Sequence, residues 1–288
     1  MMFKLLKNTQ FVIFLGLILG FIIPQFGGSL KAYAIVALLI MNTLSMKDLS
    51  FPSLNENKKD VLWLVFVAFT IYPILMILLS EFVVSADYRS AMYVMAAMPP
   101  AIAVIPLAYL LKGNLKIALP AQFLAHIVTF VFTPAVIFLF LGRSISLYGI
   151  FKTLIQLIVV PFILSRILYK IKLKHDFKIE INLILAYTFY VAVAVSYESI
   201  IASWQSLFGL FSIIVLSSFL PLFIGLWVFR DEEISKKIIF VLFSMQKNTG
   251  MALGFVLLFL PPAASIVLSV NAVVGAIRNW VVFAIFKQ

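Results

Sequence analysis

The chain has 288 residues, of which 64% are hydrophobic and 11% charged, with a mean hydropathy of +1.15 and a formal net charge of +11. Soluble domains are about 45–50% apolar, so the composition excludes one and describes a polytopic membrane protein. The basic residues are scattered through short loops, which argues against nucleic acid as a partner, and the absence of cysteine excludes disulfides, a thiolate nucleophile and a cysteine metal site.

A membrane crossing needs about 20 apolar residues. Ten stretches qualify, at 9–26, 29–46, 60–84, 88–111, 115–141, 146–170, 178–200, 206–229, 236–260 and 263–286. Lys4 and Lys7 flank the first as in a signal peptide, but no small-residue cleavage site follows, so the spacing predicts a retained first helix. The longest polar stretch, Ser45 to Asp60, reads as a loop too short to be a domain. The fourth stretch contains Pro99, Pro100 and Pro106. Gln122 and His126 lie four residues apart in the fifth, hence on one helical face, with Thr129 three further on. In the ninth, the run Ser244-Met245-Gln246-Lys247-Asn248-Thr249-Gly250 interrupts an otherwise apolar segment, and the tenth carries Arg278 and Asn279 well inside its end.

The lysines and arginines orient these stretches. With a cytoplasmic amino terminus, the inner side collects Lys4, Lys7, Lys47, Lys58, Lys59, Lys112, Lys116, Arg166, Lys170, Lys172, Lys174, Lys178, Arg230, Lys236, Lys237 and Lys287. The outer side has only Lys31, Arg89, Arg143 and Lys152. This asymmetry predicts a cell (cytoplasmic or inner) membrane protein with both termini cytoplasmic. Ten spans divide into two sets of five, and sets of odd number run in opposite orientations. The interruptions at Pro99-Pro100 and Gln246–Gly250 fall in the fourth span of each set, the pattern of an inverted-repeat transporter whose broken helices meet near the midplane. The predicted fold is therefore all-α, with discontinuous helices 4 and 9 crossing. Repeat 1 covers about 1–143 and repeat 2 about 144–288.

All eleven acids fall in loops or near span edges, Glu198 lying nearest an interior, and the only histidines are His126 and His175. Paired intramembrane carboxylates and a metal cluster are missing, so neither an enzyme nor a cofactor is expected. A lysine at the depth of Lys247 costs roughly 2.5–3.5 kcal/mol, which makes it a site candidate: it snorkels to an interface from a misplaced helix end, or it binds an anionic substrate or serves as a titratable group. His126 reads either as a packing residue or as part of a polar stripe with Gln122 facing the crossing. Arg278 either snorkels to the cytoplasmic surface or offers a planar fork to a carboxylate. Asn42, Thr70, Tyr190, Ser196, Tyr197 and Asn271 read as polar glue between helices.

Several runs together resemble the bile acid:sodium symporter family, the solute carrier ten type, in its ten-span bacterial and archaeal form. They are Met41-Asn42-Thr43-Leu44-Ser45-Met46-Lys47-Asp48-Leu49, the Pro99-Pro100 break, YLLKGN from Tyr109 to Asn114, Thr133-Pro134, and Asn248-Thr249-Gly250. The resemblance implies a core of spans 3, 4, 5, 8, 9 and 10 and a panel of spans 1, 2, 6 and 7. It also implies sodium sites, and there this chain departs. In the family's register Pro99-Pro100-Ala101 falls on a Pro-Gly-Gly, Val104-Ile105 on a sodium-binding Ser-Asn, and Ala118 and Gln122 on further hydroxyl ligands. Phe243 falls on a glutamate, Lys247 on a glutamine, and Ala68 on another sodium-binding glutamine. An ammonium beside the lost ligands would repel sodium.

The expected function is secondary active transport of a small organic anion by alternating access, with coupling to protons or to nothing, and Lys247 as a fixed charge in place of sodium. The site residues on this reading are Pro99, Pro100, Gln122, His126, Gln246, Lys247, Asn248, Thr249, Arg278 and Asn279. The alternatives are a sodium-dependent symporter of the bile acid type, an auxin-efflux-carrier-type permease, or a passive channel, for which no charged ring or filter motif is visible. A membrane sensor is disfavoured by the lack of a cytoplasmic output domain.

Overall fold

Asn8 starts the first helix: its side chain accepts hydrogen bonds from the backbone N–H groups of Gln10 and Phe11, both at 3.1 Å, satisfying two otherwise orphaned donors. The computed structural model describes residues 5–47, 58–142, 145–171, 175–202 and 204–286. Asp48 and Leu49, the polar loop as far as residue 57, and Lys4, Arg143, Lys172, Lys174 and Lys287 lie outside the described residues.

Every described element is helical. Helix α1 is Thr9–Ile22, followed by a 3₁₀ turn at Pro24–Phe26, α2 at Gly27–Lys31 and α3 at Ala34–Met46. Then come α4 (Lys58–Ser80), α5 (Ala86–Ala97), α6 (Val104–Leu110) and α7 (Leu115–Leu141). The predicted span at 146–170 is α8 (Leu147–Leu154), a π turn (Ile155–Val159) and α9 (Val160–Lys170). The last helices are α10 (Lys178–Ala202), α11 (Ser206–Val228), α12 (Ile234–Met245), α13 (Thr249–Phe259) and α14 (Ser265–Phe286).

Among the described residues, seven helical stretches are long and apolar enough to cross a membrane, or eight if α1 and the segment Pro24–Lys31 form one bent span. The molecule is a multi-pass membrane protein. The predicted 9–26 span does not run straight: Pro24 cannot continue the hydrogen-bond ladder, and the chain turns by 92° there. The predicted 88–111 and 236–260 spans are each broken, into α5 with α6 and α12 with α13.

Helix α1 lies along α10, and α3 packs against α9 and α10. The approach of α1 to α10 depends on Gly16, where an added Cβ would lie 2.3 Å from Ala186 O. Such small-residue contacts drive association in a solvent as apolar as the side chains. Gly16→Leu is expected to lower the unfolding free energy by about 1–3 kcal/mol through overpacking, read as a lower thermal midpoint in detergent; an unchanged midpoint would refute this close approach. Of the remaining helices, α4 touches α5, α7, α11 and α12, while α14 packs on α5, α11 and α13 and also on α10.

The apolar interior is divided in two. One core gathers Leu64, Ala68, Val104, Ile105, Ala118, Leu222, Phe240 and Phe243, and the other Met76, Met92, Met98, Ile137, Phe189, Phe255 and Leu268. On α4 the switch falls between Phe69 and Tyr72, on α11 between Ile214 and Leu222, and on α14 between Val274 and Val282. The two helix breaks fall at the same boundary, after Met98 and after Met245. A polar layer therefore separates the cores, and it holds buried Thr129, Thr133, Ser217, Ser218, Gln246, Lys247, Asn248 and Arg278. Asn271 ties helices to this layer. Its side chain accepts from Tyr72 Oη and Ser218 Oγ, both at 3.4 Å, and donates to Thr249 Oγ1 at 3.1 Å.

Candidate functional site

Pro99 and Pro100 end α5 without leaving unmet donors, because proline has no N–H, but the carbonyls beyond the last helical turn still need partners in a dry interior. Each finds one. Thr133 Oγ1 donates to Ala97 O at 2.6 Å, Lys247 Nζ to Met98 O at 2.8 Å, and the Asn248 N–H to Pro99 O at 2.9 Å. Gln122 Nε2 donates to Pro100 O at 3.0 Å, and the Val104 N–H to Ala101 O at 3.0 Å, opening α6. The Asn248–Pro99 bond joins one break directly to the other.

The second break is built alike. Arg278 Nη1 donates to Met245 O at 2.8 Å, Gln246 Nε2 to Asn279 Oδ1 at 3.1 Å, and the Thr249 N–H to Lys247 O at 2.9 Å. Asn248 then caps α13 by accepting the Met251 N–H at 3.0 Å. Lys247 is 4% exposed and Arg278 5%, so neither reaches a lipid or water surface. Besides Met98 O, the Lys247 ammonium donates to Ala68 O at 2.9 Å and lies 4.8 Å from the centre of the Phe69 ring and 6.0 Å from that of Phe132. The snorkelling alternative for Arg278 does not hold in this structure.

The break between α5 and α6 borders a cavity of about 230 Å³. One wall is Ile102, Ile105, Leu119, Gln122, Phe123, His126 and Phe130; the other is Met46, Ile158, Val159, Phe162 and Arg166. It thus separates α6 and α7 from α3, the π turn and α9. Arg166 lies at the carboxyl end of α3, where its Nη2 donates to Met46 O and, at 3.2 Å, to Lys47 O. Its guanidinium sits over the rings of Phe162 and Tyr169, at 5.7 and 5.6 Å. His126 Nδ1 lies 2.7 Å from Gln122 O; a carbonyl only accepts, so Nδ1 carries the proton.

Of the ten site residues expected from sequence, Gln122 and His126 line this cavity. The other eight build the crossing and its backbone pairing, and Lys247 and Arg278 face carbonyl oxygens. A direct contact of either cation with a substrate in this cavity is not what the geometry shows. Among the positions that the sequence resemblance would set on sodium ligands, Ala68 supplies its carbonyl to Lys247, Ile105 faces the cavity, and Val104, Ala118 and Phe243 are fully buried in one core. Sequence reasoning missed Arg166, counted there as an inner loop charge. The signal was its position within the 146–170 stretch, four residues before Lys170. Asn42, Tyr190 and Asn271 do join helices, Asn42 by donating to Leu157 O at 3.0 Å and Tyr190 to Ile23 O at 2.7 Å. Thr70 bonds back to its own helix, and Ser196 does so while also accepting from Ser265 Oγ of α14 at 3.3 Å, which joins α10 to α14.

No curated protein matches the chain. A model of the Sodium Bile acid symporter family matches residues 32–222, well over half of the length, taking in Pro99, Pro100, Gln122, His126 and Arg166 but not Lys247 or Arg278. Members of that family are transporters and not enzymes. With a broken-helix crossing beside a cavity, and a family match that reaches from α3 into α11, the chain belongs to the Sodium Bile acid symporter family of membrane transporters.

Proposed function

We propose that the protein is a secondary active transporter of a small organic anion, working by alternating access without sodium coupling. The observation that carries this reading is the cavity between two packed sets of helices, beside the point where two broken helices join. A volume of about 230 Å³ lies below the roughly 300–1,000 Å³ of sites for drug-sized ligands, which favours a small substrate. Its apolar walls suit a hydrocarbon body, and the positive charge of Arg166, whose Nη2 is already held by Met46 O and Lys47 O, favours an anion over a cation there.

On this reading the molecule has ten spans in two inverted five-helix repeats, and the bent α1 segment, the short α3 and the α5–α6 pair each belong to a crossing. The panel of α1, α3, α8–α9 and α10 moves against the core of the other spans, alternately opening the cavity to each side. Both termini are cytoplasmic, as the distribution of basic residues supports.

Sodium needs a shell of oxygen donors, and the residues here do not fit it. Positions 68, 104, 105, 118 and 243 carry alanine, valine, isoleucine, alanine and phenylalanine, and the Lys247 ammonium takes two of the carbonyls. Family membership favours the sodium-coupled alternative, so the experiment must separate them. A thermal-shift panel of small carboxylates and sulfonates would identify a ligand; its counterflow in proteoliposomes is then measured with sodium replaced by choline or potassium, across a pH series. Saturable trans-stimulated exchange independent of sodium is expected. A strict sodium requirement would overturn the coupling claim, and linear, unstimulated flux would overturn the carrier claim. Dependence on pH would separate a proton-coupled carrier from an uncoupled one.

A further inference from the structure

The two helix breaks share a feature that their other hydrogen bonds do not explain. Helix α5 ends at a carbonyl, Met98 O, that accepts from Lys247 Nζ, and helix α12 ends at a carbonyl, Met245 O, that accepts from Arg278 Nη1. A helix carboxyl end carries a partial negative charge, and in broken-helix transporters such ends, with unwound carbonyls, are where small cations are held. Here each end meets a buried side-chain cation. Among the described residues, no carboxylate pairs with Lys247 or Arg278, so these carbonyls and the ring faces of Phe69 and Phe132 are the compensation the interior offers.

We infer that Lys247 and Arg278 are a matched pair of tethered cations, each filling a monovalent-cation site formed by the carboxyl end of a broken helix. They act as positioning residues that hold the crossing closed without a dissolved ion. This deepens the sodium-independent reading above and adds Arg278, which occupies at α12 the role that Lys247 occupies at α5. Neither site depends on what the cavity binds.

The arrangement can be tested by cutting the tethers. Lys247→Ala deletes the equivalent of n-propylammonium, and Arg278→Ala the equivalent of ethylguanidinium. Thermal midpoints of wild type and both variants are measured in detergent with the chloride of each organic cation, sodium, potassium or choline, at constant ionic strength, and with n-butanol as a neutral filler of similar size. The expected result is a lowered midpoint in each variant, of which at least half is recovered saturably by the matching organic cation and not by n-butanol. Recovery by n-butanol alone, or no recovery by any cation, would overturn the proposal, because the side chains would then be packing groups. Should neither variant fold, the wild type still decides: its midpoint is expected to be the same in sodium, potassium and choline, and a saturable sodium stabilisation would show a cation site left open. These measurements need no substrate, so their failure is separate from a failure of counterflow.

Discussion

Replacing Lys247 with glutamate is expected to abolish recovery of folded, monodisperse protein, whereas Lys247→Met leaves a destabilised but recoverable one. The methionine variant strands the Met98 carbonyl, at a cost of about 1–3 kcal/mol for an unsatisfied buried group, while Ala68 O, inside α4, loses its second partner but keeps its place in the helix ladder. Glutamate loses the same two donors and sets a carboxylate against two carbonyl oxygens and the negative faces of Phe69 and Phe132. An uncompensated buried charge costs about 3–5 kcal/mol, a large share of a total stability of about 5–15 kcal/mol. Size-exclusion profiles and thermal midpoints of the two variants check this. Equal stability would mean that position 247 is open to water, contrary to its 4% exposure.

Filling the cavity should separate transport from folding. Ile105→Trp, at the start of α6, projects an indole into the cavity in place of a smaller aliphatic side chain, from a position 6% exposed. Counterflow is expected to fall at least tenfold. Overpacking should cost about 1–3 kcal/mol, leaving the protein folded. Leu216→Trp on α11, at a position 47% exposed, serves as the control for adding an indole elsewhere. Undiminished flux in the Ile105 variant would show that the substrate passes by another route.

The helix breaks were legible because backbone chemistry announces them: two prolines in one span, and a polar run in another that no lipid-facing helix tolerates. That those breaks touch was expected from the two-repeat reading, and the Asn248–Pro99 bond does join them. The bend after α1 was missed although Pro24 signals it, because the apolar run continues across the proline and hydropathy alone does not register direction. That Lys247 stands as a fixed charge at the crossing was readable, but the partners of Lys247 and Arg278 were out of reach for a different reason. A sequence shows that a cation is buried, but its partners here are main-chain oxygens, which every residue possesses and no letter marks. Arg166 was hidden likewise, since its position near the end of a span fits a loop charge as well as a cavity wall. The cavity itself joins residues 46, 102–130 and 158–166, which only the packing of separate helices brings together.

The π turn at Ile155–Val159 has a consequence for aim. An i→i+5 turn fits one residue more than an α-helical turn, and an α-helix advances about 100° per residue, so the chain beyond it is turned by about that angle relative to an uninterrupted helix. Asn42 holds the wide turn by taking the Leu157 carbonyl. Before the turn, Ile150 and Leu154 point into the apolar core; beyond it, Phe162 and Arg166 line the cavity. One surplus residue, absorbed within the helix, thus sets the azimuth of the arginine that lines the cavity, and the span works as a rod with two independently clocked ends.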